Sequence, residues 1–105
     1  MLLLVISTFP DEDSAAAAVR ALVEEKLAAC GTILPCARSI YAWQGKIEDA
    51  AEVVVLLKTR SLLYAKLEKR LAKLHPYEVP EIVAWEPGAV SKPYAAWIAA
   101  SLSGS

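Results

Sequence analysis

The first apolar segment of the chain predicts a buried β-strand followed by an amphipathic helix. Residues 2–9, LLLVISTF, form a continuous apolar run, which is typical of a strand covered on both faces. Asp11 stands where a helix N-cap is expected. Apolar residues then recur at helical spacing, namely Ala15, Ala18, Val19, Leu22, Val23, Leu27 and Cys30. Gly31 is the expected end of this helix.

The middle of the chain predicts a long β-hairpin. Residues 32–43 form its first strand, and residues 47–59 form its second, whose apolar centre should lie deep in a sheet. A turn over residues 43–46, built on Gly45, joins them. This hairpin is longer than one small sheet needs, so we expect its far end to contact another subunit.

A second amphipathic helix follows the hairpin. Ser61 can cap it, and Pro76 ends it at His75, because a residue before proline disfavours helical geometry. Its inward positions at helical spacing are Leu63, Leu67, Leu71 and Leu74.

Two further elements complete the chain. Residues 79–85, VPEIVAW, predict a fourth strand, which Pro80 confines to an edge or a strand start. Residues 91–102 predict a short terminal helix. On that helix we expect one face to carry Tyr94, Trp97 and Ile98.

The order of these elements is β-α-β-β-α-β followed by a helix. Right-handed crossovers place both crossover helices on one face of a four-stranded sheet. The prediction is therefore an α+β fold, a ferredoxin-like βαββαβ sandwich with an added C-terminal helix. The 105 residues suit a single domain over 1–105.

Composition narrows the classes of function. Hydrophobic residues make up 56% of the chain, so either a crowded core with alanine-rich helices or an oligomer must account for the surplus. The net charge is −1, which gives no basic field for nucleic acid. We expect no membrane association and a cytoplasmic location, because no apolar run is long enough to span a bilayer and the start lacks a basic leader. Cys30 and Cys36 form neither a disulfide framework nor a CxxC pair.

His75, the only histidine, lies in the stretch LHPYEVPEIVAW with Glu78 and Glu81 close behind. It can simply complement the helix dipole and bond a free carbonyl. It can instead ligate a metal together with Glu81, or act as a general acid or base in a small enzyme. The residues alone leave these alternatives open.

Other candidate residues also carry two interpretations. Cys30, on the apolar stripe of the first helix, is either a small buried hydrophobe or a ligand. Lys58 ends the deepest strand and can be an ordinary solvated strand end. Tyr41 and Trp43 share one strand face, which indicates packing or subunit contact more than ligand stacking.

Four segments taken together resemble the CutA family of divalent-cation-tolerance proteins. They are LVEEKLAAC, RSIYAWQGKIE, LLKTRS and LHPYEVPEIV, and the resemblance runs from about residue 4 to residue 102. It implies a ferredoxin-like subunit in a compact homotrimer, similar to the PII signalling proteins. No reaction is firmly established for that family. The resemblance also implies that members bind divalent metals, copper chiefly, and that shared polar residues gather in clefts between subunits. In this chain those residues are Cys30, Tyr41, Trp43, Lys58, His75, Tyr77 and Glu81.

Two of the chain's departures from the family pattern concern a copper site. Some relatives carry cysteine where Ser7 stands and a second histidine where Leu74 stands, and both belong to a copper site proposed for those members. A copper site here would therefore have to use Cys30, His75 and Glu81.

The sequence thus favours a non-enzymatic homotrimer. Its expected ligand is copper(II), another divalent metal or a small ligand in an inter-subunit cleft, with no organic cofactor. The alternative is a trimeric interaction or signalling scaffold that docks a protein partner.

Overall fold

The computed structural model describes residues 1–103. In chain order its elements are β1 (Leu2–Phe9), α1 (Glu12–Glu24), β2 (Cys30–Trp43), β3 (Lys46–Arg60), a 3-10 turn (Ser61–Leu63), α2 (Tyr64–Leu74), β4 (Val83–Trp85) and α3 (Lys92–Leu102). The strands form one sheet in the order β2-β3-β1-β4, with each neighbouring pair antiparallel. This confirms the predicted α+β, ferredoxin-like arrangement with an added C-terminal helix.

The core lies between the sheet and the two crossover helices. Alternate residues of β1 are buried, and the inner half of β3 alternates in the same way, so one sheet face packs on α1 and α2. The buried apolar cluster consists of Val5, Phe9, Ala15, Ala18, Leu22, Ala28, Val53, Val55, Leu57, Leu67 and Leu71. We call the opposite side, which carries Thr8, Glu52 and Lys58, the open face.

Helix α1 begins as predicted but ends earlier. The Asp11 carboxylate accepts a hydrogen bond from the Ser14 backbone N–H at 2.7 Å, so Asp11 is the N-cap. The end is set at Lys26, whose φ of 58° is left-handed. Backbone bonds from Leu27 N to Leu22 O and from Lys26 N to Val23 O complete a Schellman motif. The prediction that the helix runs to Gly31 was wrong.

Cys30 and Gly31 therefore belong to β2, not to α1. Gly31 pairs with Leu57 on the helix face, where α1 lies directly above it. A Cβ at Gly31 would lie 2.6 Å from Val19 Cγ1 and 2.9 Å from Leu57 Cδ2. The missing side chain thus allows α1 to approach the sheet closely.

The hairpin of β2 and β3 consists of an inner part and a projecting arm. A β-bulge between Leu34 and Ala37 breaks the pairing, and Cys36 there has a φ of 65°. Beyond it, residues 37–52 pair only with each other and close at a two-residue turn, Gln44 and Gly45, both with positive φ. The radius of gyration is 14.4 Å, whereas about 13 Å is expected for a compact chain of this length. We call residues 37–52 the arm.

The fourth strand is shorter than predicted. β4 contains only Val83–Trp85, which pairs with residues 4–6 of β1, whereas residues 79–82 lie outside the strand. Pro80 has no N–H to donate to a ladder. In addition, the Thr8 carbonyl, which a longer β4 would approach, already accepts a hydrogen bond from His75.

The remaining helices depart from the pattern in small ways. Ser61 begins the 3-10 turn, and within residues 1–103 no side chain caps α2. Helix α3 is capped by Ser91 and lies over one end of the open face. Of the residues expected to share one face of α3, Ile98 is buried, whereas Tyr94 and Trp97 stack on each other and stay exposed. Among the described residues, no helix combines the length and apolarity that crossing a membrane requires.

Candidate functional site

The site is organised by the segment that follows α2, and His75 fixes that segment to β1. The His75 backbone N–H bonds to Leu71 O at 2.9 Å, which ends the helix. Its ring packs on Phe9 with centroids 4.2 Å apart. Nδ1 accepts from the Tyr77 backbone N–H at 3.1 Å, so Nε2 carries the proton that is donated to Thr8 O at 2.7 Å. Both ring nitrogens are therefore occupied by backbone groups.

Burial governs the protonation of this histidine. His75 is 7% exposed, and its burial holds the pKa below its ordinary value, although the Thr8 carbonyl and the nearby Glu52 act in the opposite direction. The neutral ring with the proton on Nε2 satisfies both backbone partners. This geometry agrees with the interpretation of His75 as a residue that ends a helix and bonds a free carbonyl.

Tyr77 leads from this segment to the arm. Its hydroxyl donates to Glu52 Oε2 at 2.5 Å. Burial, with Glu52 as the next cause, raises the pKa of Tyr77 well above its ordinary value, so the phenol remains protonated. Glu52 itself is only 6% exposed. Glu52 was not among the predicted site residues, although a carboxylate at the border of the apolar run of β3 is a signal that could have found it.

A cleft of about 690 Å³ opens between this segment and the arm. Three aromatic side chains, Tyr41, Trp43 and Tyr77, stand on its walls. The lining also contains three carboxylates, namely Glu52, Glu78 and Glu81. The lining that the described residues provide contains no lysine, arginine or histidine.

The structure brings four of the predicted site residues to this cleft and places the others elsewhere. Tyr41, Trp43, Tyr77 and Glu81 line it. Cys30 lies at the far end of the open face, where its Sγ is 3.6 Å from Tyr94 Oη. The expectation that Cys30 lies on the stripe of the first helix was wrong, because the helix ends before it.

Lys58 shares that far end of the sheet. It pairs with Cys30, and its Nζ donates to Thr32 Oγ1 at 2.6 Å. Lys58 also pairs with Leu4 of β1, whereas His75 bonds to Thr8, four residues further along the strand. That separation is about 13 Å, so Cys30 and His75 do not converge within one chain.

The donor set for a metal is incomplete in a single chain. Within residues 1–103, no three histidine, cysteine, aspartate or glutamate side chains form a group that could hold a metal ion. The exposed carboxylates of Glu78 and Glu81 remain available at the cleft, and further ligands would have to come from water or a neighbouring subunit. A shared role of Cys30, His75 and Glu81 across subunits stays a prediction.

The fold and the acidic, aromatic cleft place the chain in a class of ferredoxin-like proteins with a long hairpin. The sequence model of the CutA1 divalent ion tolerance proteins matches residues 3–101, and the chain belongs to this family.

Individual relatives agree over nearly the full length. The divalent-cation tolerance protein CutA of Thermus thermophilus is 44% identical over 94 residues, which cover 90% of this chain and 91% of the relative. The crystal structure of CutA from Xylella fastidiosa superimposes with a TM-score of 0.94 at 42% identity, covering 97% of this chain and 98% of that one. A CutA from Archaeoglobus fulgidus, described as periplasmic, gives 0.94 at 33% identity, covering 98% of this chain and 100% of its own.

Proposed function

We propose that this protein is a homotrimer that binds a divalent cation, copper(II) first, in the cleft at a subunit boundary and catalyses no reaction. The observation that carries the proposal is the charge of the cleft, whose described lining contains three carboxylates and no lysine, arginine or histidine. The family description, divalent ion tolerance, points to the same class of ligand.

Exposed apolar surface supports the trimer. The arm leaves Ile40, Tyr41, Trp43 and Ile47 between 45% and 74% exposed. Val83 and Trp85 of β4 pair with residues of β1 and are also exposed. Apolar groups of this size, distributed over one long hairpin and one sheet edge, are typical of surfaces that another subunit covers.

The carboxylates of the cleft are the best ligands that one chain offers. Glu78 and Glu81 are exposed and free to turn toward a cation, whereas one oxygen of Glu52 already accepts from Tyr77. Copper(II) accepts carboxylate as well as imidazole ligands. His75 could join only by releasing Thr8 or Tyr77 from its ring nitrogens.

That same bonding of His75 favours a binding role over catalysis. A general acid or base must exchange its proton with a substrate, yet both ring nitrogens of this histidine face backbone partners in a buried position.

Calorimetric titration of copper(II) into the intact protein tests the metal assignment. We expect binding that Glu81→Gln weakens at least about tenfold, because a charged ligand is lost. Glu86→Gln is the matched control, since Glu86 is exposed and lies outside the cleft lining. The assignment is wrong if copper does not bind to the intact protein. It is also wrong if the double variant Glu78→Gln/Glu81→Gln binds copper as tightly as the intact protein does. Loss of binding in His75→Gln would make the histidine a ligand.

Light scattering over a dilution series tests the trimer. We expect Trp43→Ala to weaken assembly, because truncation of an aromatic side chain that is buried in an interface costs about 3–5 kcal/mol. Leu62→Ala removes another exposed apolar side chain, 83% exposed and remote from the arm, and should leave assembly unchanged. An unaltered trimer in Trp43→Ala would contradict the role of the arm.

We also propose a cytoplasmic location. Both cysteines are free, which suits a reducing compartment. Cell fractionation decides between this location and the periplasm, the location given for the Archaeoglobus relative.

A second candidate function is a trimeric scaffold that docks a protein partner. It is favoured by the stacked, exposed Tyr94 and Trp97 of α3, which do not line the cleft. Oxidative footprinting of the Trp97 side chain in the assembled protein, read by mass spectrometry, tests it, since a side chain shielded inside the assembly cannot receive a partner.

A further inference from the structure

The walls of the cleft carry a chemistry that a metal ion does not need. Tyr41 and Trp43 are two residues apart on β2, so their side chains project from the same face of the arm. They are 45% and 46% exposed. Tyr77 stands opposite, on the segment after α2. Aromatic faces attract organic cations through the ring quadrupole, and Trp and Tyr are the strongest of these rings.

A buried carboxylate lies on the same face of the hairpin. Glu52 pairs with Ala37 and therefore shares the face of Ser39, Tyr41 and Trp43. Its Oε2 accepts from the Tyr77 hydroxyl. Within residues 1–103, no side chain donates to its other oxygen, and that atom is not among the buried atoms that lack a partner. Oε1 is therefore accessible from the cleft and can accept a hydrogen bond from a ligand.

The size and the net charge of the cleft limit the ligand further. A volume of about 690 Å³ falls within the range that small-molecule sites occupy. One carboxylate at the floor and the two of Glu78 and Glu81 at the rim favour a ligand with more than one positive charge. A hard metal ion at the floor would need several oxygens in one coordination sphere, whereas the walls there supply aromatic rings.

We propose that the cleft binds a small aliphatic diamine. One ammonium group bonds to Glu52, the other faces Glu78 and Glu81, and the rings of Tyr41 and Trp43 flank the ammonium groups and the short chain between them. This inference rests on the proposed function in one respect: in the trimer a neighbouring subunit must cover only part of Trp43 and Tyr41, so that their sides facing the cleft stay open to solvent. The diamine and the metal would share Glu78 and Glu81 at the rim, whereas Glu52 and the aromatic walls are assigned to the diamine alone.

Calorimetric titration of 1,4-diaminobutane into the intact protein, with EDTA present, tests the proposal. 1,4-Butanediol is the uncharged ligand of the same length. We expect the diamine to bind and the diol not to bind. Glu52→Gln should weaken binding at least about tenfold, because a charge-assisted hydrogen bond is lost while the amide oxygen still accepts from Tyr77. Trp43→Leu should weaken it about threefold or more through the lost ring. Glu86→Gln should bind like the unaltered protein.

Each outcome separates this inference from the function on which it rests. Equal heats for the diamine and the diol, or equal affinity in Glu52→Gln and Glu86→Gln, would overturn the diamine site. Trp43→Leu keeps the test decisive if Glu52→Gln fails to fold, provided that it is titrated at a protein concentration at which light scattering shows the assembly intact. Unchanged diamine affinity in Trp43→Leu then also overturns the proposal. If the diamine fails to bind while copper(II) binds without EDTA, only the diamine proposal is wrong. If neither binds, the cleft is not a cation site and both proposals are wrong.

Discussion

Gly31 controls how closely α1 approaches the sheet, and Gly31→Ala measures the tightness of that contact. The added Cβ would lie 2.6 Å and 3.2 Å from the two methyl carbons of Val19 and 2.9 Å from Leu57 Cδ2. Carbon atoms in good contact are about 3.5–4.0 Å apart, so the closest overlap is close to 1 Å. Val19 cannot turn away easily, because a β-branched side chain in a helix has one preferred rotamer.

The expected magnitude follows from two opposing effects. Overpacking of a well-filled core costs about 1–3 kcal/mol, whereas replacing glycine by alanine within a strand recovers about 0.5–1 kcal/mol of chain entropy. We therefore expect Gly31→Ala to lower the free energy of unfolding by about 1–2 kcal/mol. Urea unfolding at one fixed protein concentration measures this value, since stability of an oligomer depends on concentration.

A double-mutant cycle identifies the cause. In a Val19→Ala background both Val19 contacts are gone and only the contact with the flexible end of Leu57 remains, so Gly31→Ala should become clearly less destabilising. Gly88→Ala is the control for glycine replacement as such, because among the described residues, its two chain neighbours aside, no atom lies within 4 Å of the position that its Cβ would take. If Gly31→Ala and Val19→Ala are additive within about 0.5 kcal/mol, the contact between α1 and β2 is not the reason for glycine at this position.

Three other predictions concern single residues. Ser7 is fully buried, and within residues 1–103 its hydroxyl has no hydrogen-bond partner. Ser7→Ala should therefore raise the free energy of unfolding by about 1 kcal/mol, and a free energy below that of the unaltered protein in urea unfolding would contradict this. Lys26 has left-handed backbone geometry at the end of α1, so Lys26→Gly should raise the midpoint of thermal unfolding by relieving up to about 1 kcal/mol of strain. An unchanged midpoint would show that no such strain exists. The pKa of His75 is held below 6.5 in the folded protein, so the unfolded chain binds more protons between the two pKa values; the free energy of unfolding should therefore fall as pH drops from about 6.5 through the lowered folded pKa. Urea unfolding from pH 7 downwards measures that slope, and His75→Gln, whose amide can hold the same backbone partners, should lack it.

The large elements of the fold could be predicted from the sequence because apolar residues repeat along it with a clear period. The alternation on β1 and β3 and the leucine spacing on α2 each require one covered face, and the order of elements then leaves few topologies. The end of α1 was not readable in this way. Apolar spacing continues to Cys30, and the residue that takes the left-handed conformation is Lys26, where glycine is the usual signal.

The candidate site was predictable only in part. Tyr41, Trp43, Tyr77 and Glu81 were selected, and they do line one cleft. Glu52 was missed because its position depends on the bulge at Leu34 and Ala37, which sets the register of the arm, and no local pattern reveals which cross-strand partner a bulged strand chooses. The separation of Cys30 from His75 likewise depends on strand register rather than on spacing along the chain.

The bulge in β2 also separates two kinds of selective pressure along one hairpin. Residues before it and their partners on β3 contact the chain's own helices, so a substitution there acts on the folding of each subunit. Residues 37–52 contact mainly each other and, in the proposed trimer, a neighbouring subunit. Mutations in the arm can therefore change assembly and the lining of the cleft while the subunit core keeps its stability. The ligand of the cleft can therefore change in the course of evolution while the fold of the subunit is kept.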